Sequence, residues 1–309
     1  MSRNNLIDYI FKKGLLFPAL LLSLVIFWSC TPRSDQPQSR LDYTLDTVFQ
    51  VEGRQGVASD GNAYYISGSK ALYKYSMSGE LLHSNTSPFE GLEGTMNHLG
   101  DIDVFNGELY AGAENFVDGR GQNIQIVIYD LETLRVKRSI PWEASSGQVE
   151  VCGIAVDTLN QCIWLADWLK GEHLYRYDMN TGDYLGYISL DPVPFQIQGI
   201  NVVGEYLYLT ADDGDAELND PDHVYSIHLG AVDSEVPKSV VLEKTLKEFQ
   251  RAGEVEGLCL LPELEKMAVL MNRGARIIEG IPQGFYPGYD HEIHEIYIYQ
   301  IQRTKLIHE

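Results

Sequence analysis

Short runs of alternating apolar and polar residues dominate the chain, and one phrase recurs five times with its parts in the same order. Each copy opens on a glycine followed by a short apolar run: Gly56-Val-Ala-Ser-Asp, Gly100-Asp-Ile-Asp-Val, Gly153-Ile-Ala-Val-Asp, Gly199-Ile-Asn-Val-Val and Gly257-Leu-Cys-Leu-Leu. A tight turn follows, then a second run, often aromatic at its start, as in Tyr64-Tyr-Ile-Ser, Leu109-Tyr-Ala-Gly and Ile163-Trp-Leu-Ala. A third reads Leu72-Tyr-Lys-Tyr, Leu174-Tyr-Arg-Tyr-Asp or Ile296-Tyr-Ile-Tyr. Successive side chains of a strand point to opposite faces, so this period of two predicts half-buried β-strands. Several copies close on a turn and a fourth strand, clearest in Asp178-Met-Asn-Thr-Gly-Asp-Tyr-Leu-Gly-Tyr-Ile, where Thr-Gly is hairpin punctuation.

A four-stranded antiparallel unit repeated every 45 to 55 residues or so predicts an all-β chain folded as a single β-propeller. Radial repetition is how such sheets avoid long open edges. Five copies predict five blades, and the fifth runs out of chain shortly after its third strand at Ile296 to Ile301. The strand-like segment Leu45 to Val51 precedes the first copy with no partner of its own, so it is expected to supply the outer strand of the last blade and close the ring. Six blades stay open as an alternative if Asp215 to Asp222 or Pro237 to Ala252 conceals a degenerate unit.

Charge narrows the partners. Among 309 residues, 23 basic side chains face 44 acidic ones, a formal charge of −21 that repels nucleic acid phosphates and offers no polybasic stripe to an anionic membrane. The N-terminus differs from the rest: Arg3, Lys12 and Lys13 precede the apolar run Leu15 to Trp28, the layout of an export signal and too short for a comfortable span. The run ends Phe27-Trp28-Ser29-Cys30, which resembles the bacterial lipoprotein signal, and a polar stretch from Thr31 to Arg40 follows as a tether would. The resemblance implies a signal peptide over 1–30 with a lipid on Cys30, a tether over 31–41 and a propeller domain over 42–309, held at the bacterial cell envelope on the outer membrane. A simple uncleaved anchor is the other reading. The remaining cysteines, Cys152, Cys162 and Cys259, are odd in number, and Cys162 and Cys259 sit in apolar runs that predict buried thiols.

Candidate chemistry follows from aligning the copies. In a propeller the innermost strand begins on the face where the second strand ends, so residues at those two places converge on one mouth of the central channel. Before the first-strand glycines stand Gln55, Cys152, Gln198 and Glu256, with Arg54, His98, Glu150, Gln196 and Glu254 one or two residues further out. At the second-strand ends stand Ser69, Glu114, Asp167 with Trp168, Asp212 with Asp213, and Asn272 with Arg273. Glu114, Asp167, Asp212, Glu256 and Asn272 form the oxygen-rich inventory that Ca²⁺ or Mg²⁺ prefers, whereas His98 or Cys152 would favour zinc. Glu114, Asp167, Asp212 and His98 are also the candidate catalytic groups, because clustered carboxylates raise one another's pKa and supply a general base. No sequence pattern points to an organic cofactor. The segment Asp290-His-Glu-Ile-His-Glu carries two histidines near the same face, able to bind metal or carry protons but read here as a solvated loop. The long Gly280 to Tyr289 connection before it is expected to cover the site.

From Val51 to Ile301 the repeats resemble exported bacterial propellers of the gluconolactonase-like and NHL-like group, whose blades also run glycine, apolar strand, aromatic strand and Leu-Tyr-x-Tyr-Asp strand. That resemblance implies one divalent cation in the channel, held by Glu256 or Glu114, by Asn272, and by Asp167 or Asp212. Five-bladed glutaminyl cyclotransferases offer a second comparison through Gln55-Gly56 and the pocket acids. Three functions stay open: binding a polar small molecule or glycan fragment at the mouth with a divalent cation, metal-dependent hydrolysis of lactones or esters, and a scaffold that docks protein partners on its rim.

Overall fold

The computed structural model describes residues 41–303 apart from 231, 233, 234, 250, 251, 279 and 280. The export signal, Cys30 and nearly all of the tether lie outside the described residues. Among those residues the chain forms strands, two short 3₁₀ turns at Ala144–Ser146 and Pro262–Leu264, and no α-helix.

After β1 (Leu41–Gln50), the strands group into four-stranded antiparallel meanders. The first holds β2 (Gly56–Ser59), β3 (Ala63–Gly68), β4 (Ala71–Ser76) and β5 (Leu81–Asn85), and the second β6 (His98–Phe105), β7 (Glu108–Val117), β8 (Arg120–Asp130) and β9 (Val136–Pro141). A third holds β10 (Gly153–Asp157), β11 (Cys162–Ala166), β12 (His173–Asp178) and β13 (Tyr184–Asp191), and a fourth β14 (Ile197–Val203), β15 (Tyr206–Ala211), β16 (His223–His228) and β17 (Lys238–Thr245). These two fuse into one eight-stranded sheet where β13 and β17 pair in parallel, Leu190 with Lys238 and Asp191 with Ser239. The last meander holds β18 (Gly253–Leu261) and β19 (Lys266–Arg273), a separate hairpin of β20 (Ala275–Ile278) and β21 (Ile281–Phe285), and β22 (Ile293–Arg303). The architecture is all-β and propeller-like.

The segment before the first repeat finds its partner at the other end of the chain. β1 pairs antiparallel with β22 from Leu41 opposite Arg303 to Gln50 opposite Glu295, with one register shift between Leu45 and Thr47. Among the described residues, 215–222 carries a single bridge between Asp215 and Asp220, and 237–252 contains β17.

The alternation of apolar residues has a simple destination. Side chains from neighbouring meanders interdigitate, as where Trp164 and Leu174 meet Ile200, Leu207 and Leu209, and where Tyr65 and Leu72 meet Leu99, Leu109 and Tyr129. Backbone bridges fasten the inner strands: Ser67 Oγ donates to Gly100 O at 2.7 Å, Asp101 N to Cys152 O at 2.7 Å, Thr210 Oγ1 to Glu256 O at 2.6 Å and Gly257 N to Gln55 O at 2.9 Å.

The repeated glycine is explained by this crowding. A Cβ on Gly257 would lie 2.5 Å from Asp101 Oδ1 and 2.7 Å from the Cα of Gly56, and one on Gly199 would lie 2.5 Å from the Cα of Gly257. Inner strands therefore touch backbone to backbone at that position. Gly257→Ala is expected to lower the free energy of unfolding by about 3 kcal/mol, as overpacking of a rigid contact does; a urea midpoint equal to that of the unmodified protein would refute the close approach.

Candidate functional site

The starts of the inner strands and the ends of the second strands surround a cavity of about 240 Å³. Ten residues nominated from the repeats line it: Gln55, Ser69, His98, Cys152, Trp168, Gln198 and Glu256, together with Arg54, Glu150 and Glu254 beside them. Phe116 from β7 adds an aromatic wall, and Ile277 and Pro282 bring the β20–β21 hairpin over the opening.

Three carboxyl groups stand close behind or within the wall, each held by a different device. Glu114, fully buried in β7, accepts from the Val151 N–H through Oε2 at 3.2 Å, while its Oε1 lies 3.2 Å from His98 Nδ1. The other ring nitrogen of His98 lies 2.8 Å from Gln55 Oε1, and the ring packs on Phe116 with centroids 5.6 Å apart. Burial raises the Glu114 pKa, with His98 pulling it back down. The backbone of Gly121 passes so near that a Cβ there would fall 1.9 Å from Glu114 Oε2.

Glu150 accepts the Trp168 backbone N–H at 2.7 Å. Burial first, then Glu114 and Asp167 nearby, raise its pKa well above its usual value, and the carboxyl forms part of the cavity wall. Asp167 is turned away: Oδ1 accepts from the N–H groups of Val149 and Glu150, both at 3.2 Å, and Oδ2 from the Tyr175 hydroxyl at 3.0 Å. Its work is to hold the loop that carries Glu150, and burial pushes its pKa up to about 6.

Opposite, Arg54 reaches Glu254 at 3.3 Å, Glu256 at 3.6 Å and Glu292 at 3.4 Å. Asn272 donates to Glu256 Oε1 at 3.4 Å. Burial raises both acids, Glu254 to about 7 and Glu256 well above its usual value, and Arg54 opposes the rise in each case. Asp212 does not line the cavity; its backbone N–H donates to Gln196 O at 2.9 Å. Cys152 directs its thiol to Ala166 O at 3.3 Å, and burial lifts its pKa far above normal, so it is a packed thiol and not a nucleophile. Cys162 and Cys259 are buried and free. His291 pairs with Asp290, and His294 with Glu292 at 3.0 Å, outside the cavity wall.

The divalent cation implied by the gluconolactonase-like resemblance meets an unsuitable donor set. Among the described residues no three His, Cys, Asp or Glu side chains are arranged to hold a metal ion. Glu256 and Asn272 do meet, but the guanidinium of Arg54 already supplies the positive charge beside them, and Asp167 is committed to amide and phenol donors. Glu114 lies with His98 on another part of the wall, and Asp212 stays outside it.

Reading the repeats by register placed Arg54, Glu150 and Glu254 at the margin of the site, yet they dominate its electrostatics. Asp101 went unremarked. It sits on the axis beneath the cavity, 1 % exposed, with Oδ2 accepting from the Ile200 N–H at 2.9 Å. Asp103, two residues further along the same strand, accepts from Val156 N at 2.8 Å, and burial raises its pKa to about 7. The available signal was an acidic pair at two positions that are apolar in the other copies, apart from Ser59.

No protein-family model matches the chain, and no curated protein matches it in sequence. Among solved structures, the crystal structure of Myxococcus xanthus glutaminyl cyclase is similar with a TM-score of 0.56 at 10 % identity, over 86 % of this chain and 99 % of that one. The two share a propeller-like fold. At that identity the likeness speaks for architecture alone, and the residues of the mouth have to be read on their own chemistry.

Stability should follow the buried acids. Asp103, Asp167 and Glu254 have folded-state pKa values of about 7, 6 and 7, all raised above those of the unfolded chain. The native state then holds more protons than the unfolded state between roughly pH 4 and pH 7, so stability is present below that window and is lost as pH rises through it. The melting temperature is expected to be several degrees higher at about pH 5 than at about pH 8; a scan with the opposite slope would show that these carboxyls are ionised at little cost.

Proposed function

We propose that the chain is a lipid-anchored, five-bladed propeller, its ring closed by β1 on β22, whose mouth binds a neutral polar small molecule or glycan fragment. The observation that carries this reading is Trp168, whose indole Nε1–H is sealed from solvent with no acceptor although the residue forms part of the cavity wall. An unsatisfied buried donor costs stability, and a ligand oxygen would repay it. The cavity wall also offers the amides of Gln55 and Gln198, the carboxyl of Glu150, and the aromatic side chains of Phe116 and His98. A cavity of this kind, with aromatic walls and few convergent polar groups, suits a hydroxyl- or amide-bearing molecule. An anion would have to sit among Glu150, Glu254 and Glu256 with Arg54 already engaged.

Calorimetry against mono- and disaccharides and small amides tests it. Trp168→Phe keeps an aromatic ring and removes the donor, so affinity for the compound that binds should fall about tenfold. Binding by none of them, or equal binding by the variant, would overturn the reading.

Glu150 favours a second reading, in which the chain shares the reaction for which its structural neighbour is named. Closing an N-terminal glutaminyl residue forms a bond from the α-amino nitrogen to the side-chain amide carbon and expels ammonia, and a carboxyl at the wall whose pKa burial raises is suited to pass a proton to that leaving group. Ammonia release from a glutaminyl peptide, lost in Glu150→Gln, would support it.

Anchoring rests on Cys30. Cys30→Ser should move the protein from the membrane fraction to the soluble one; retention at the membrane would favour an uncleaved apolar anchor.

A further inference from the structure

The cavity is bordered on one side by apolar side chains that no part of the described chain covers. Leu169, Val193 and Phe195 stand exposed on the loops after β11 and β13, and Ile278, Ile281 and Phe285 on the β20–β21 hairpin, with Phe195 62 % and Ile281 59 % exposed. Leu169, Ile278 and Ile281 are chain neighbours of the wall residues Trp168, Ile277 and Pro282, so they occupy the same mouth.

Contacts between the loops join these residues into one arc. A Cβ on Gly171 would fall 2.5 Å from Pro194 O, so the first two loops touch. Gln196 O accepts the Asp212 N–H at 2.9 Å, linking the second loop to the segment that carries Leu218, itself 72 % exposed. Arg276 Nε then donates to Glu217 Oε1 at 2.8 Å, linking that segment to the hairpin. A monomer seldom leaves a run of large apolar side chains open in this way without a partner for it.

The charges on the arc select the partner. Glu172, Asp191, Asp215, Glu217 and Asp220 are exposed along it, opposed by Lys170 and by Arg276, which Glu217 already engages. With a formal charge of −21 behind this face, an anionic bilayer is repelled and a basic surface is attracted. We propose that this arc, from Leu169 to Phe285, docks a polypeptide segment in which apolar side chains are flanked by lysine or arginine. The apolar groups would cover Phe195 and Ile281, and the basic ones would face the carboxylates of the 215–220 loop. Occupancy of the cavity is not required, so the surface stands independently of the small-molecule reading.

The test uses the full chain in detergent micelles against immobilised short random peptides. Selected peptides should be rich in lysine or arginine together with leucine, isoleucine or phenylalanine. Their binding should weaken with added salt and fall at least about tenfold in the double variant Phe195→Ser, Ile281→Ser. Both side chains are exposed, so the variant should melt with the unmodified protein, which separates lost docking from lost folding. Selection of acidic peptides, selection of none, or binding unchanged in the double variant overturns the proposal. Binding of vesicles of anionic phospholipid in place of peptides, abolished by the same variant, would assign the arc to a bilayer and overturn it too.

Discussion

The carboxyl group of Asp101 is the point at which the inner strands meet. Its Oδ2 takes the Ile200 N–H at 2.9 Å, and its own backbone N–H reaches Cys152 O at 2.7 Å, so one residue of β6 ties β10 and β14 to the axis. The volume it fills exists only because Gly56, Gly199 and Gly257 lack a Cβ, each of which would fall within 3.0 Å of one of its oxygens. Burial without full compensation is costly for a carboxylate, and burial accordingly raises the Asp101 pKa far above normal, with backbone N–H donors opposing the rise. The glycines at the head of three repeats, Gly56, Gly199 and Gly257, and the acid in the second repeat are thus two halves of one constraint. Neither makes sense without the other.

That constraint also shapes the site above it. Asp101 draws β2, β6, β14 and β18 together, and the cavity lies where these strands begin. Carboxyl groups can be gathered around such a cavity only if each is neutralised in some way. Glu114 has His98 and a backbone amide beside it, Glu150 a backbone amide and a pKa that burial raises, and Glu256 an arginine and an amide side chain. Arg54 is central on its side because three carboxylates converge on it. Substitution there would leave buried acids without a counter-charge, a larger loss than that of a surface pair.

The fold was legible because its determinants are local. Alternation at period two places strands, Gly-containing turns place hairpins, and an unpartnered strand before Gly56 must find an edge, which it does on β22. The site was legible only as a set of positions. Register places the Cα of Asp167 near the mouth but says nothing of the Tyr175 hydroxyl and the two amides that turn its carboxylate aside. Arg54 and Glu254 were harder still, since their pairing spans 200 residues and leaves no local pattern. Asp101 was written in plain view as Gly-Asp-Ile-Asp, but its meaning depends on glycines in three other repeats.

Similarity to a glutaminyl cyclase at 10 % identity is what this division of labour would produce. The propeller-like fold demands alternation in the strands, small residues where the inner strands touch, and an edge partner for β1, and many unrelated side chains meet those demands. Nothing in them specifies the loops before β2 and β10 or the first residues of β18, where Arg54, Glu150 and Glu254 stand, or the hairpin that brings Ile277 and Pro282 over the cavity. Those segments are free to diverge while the architecture persists. The chemistry of the mouth therefore has to be decided by groups such as the unpartnered Trp168 indole and the buried Glu150 carboxyl, which the shared scaffold positions but does not dictate.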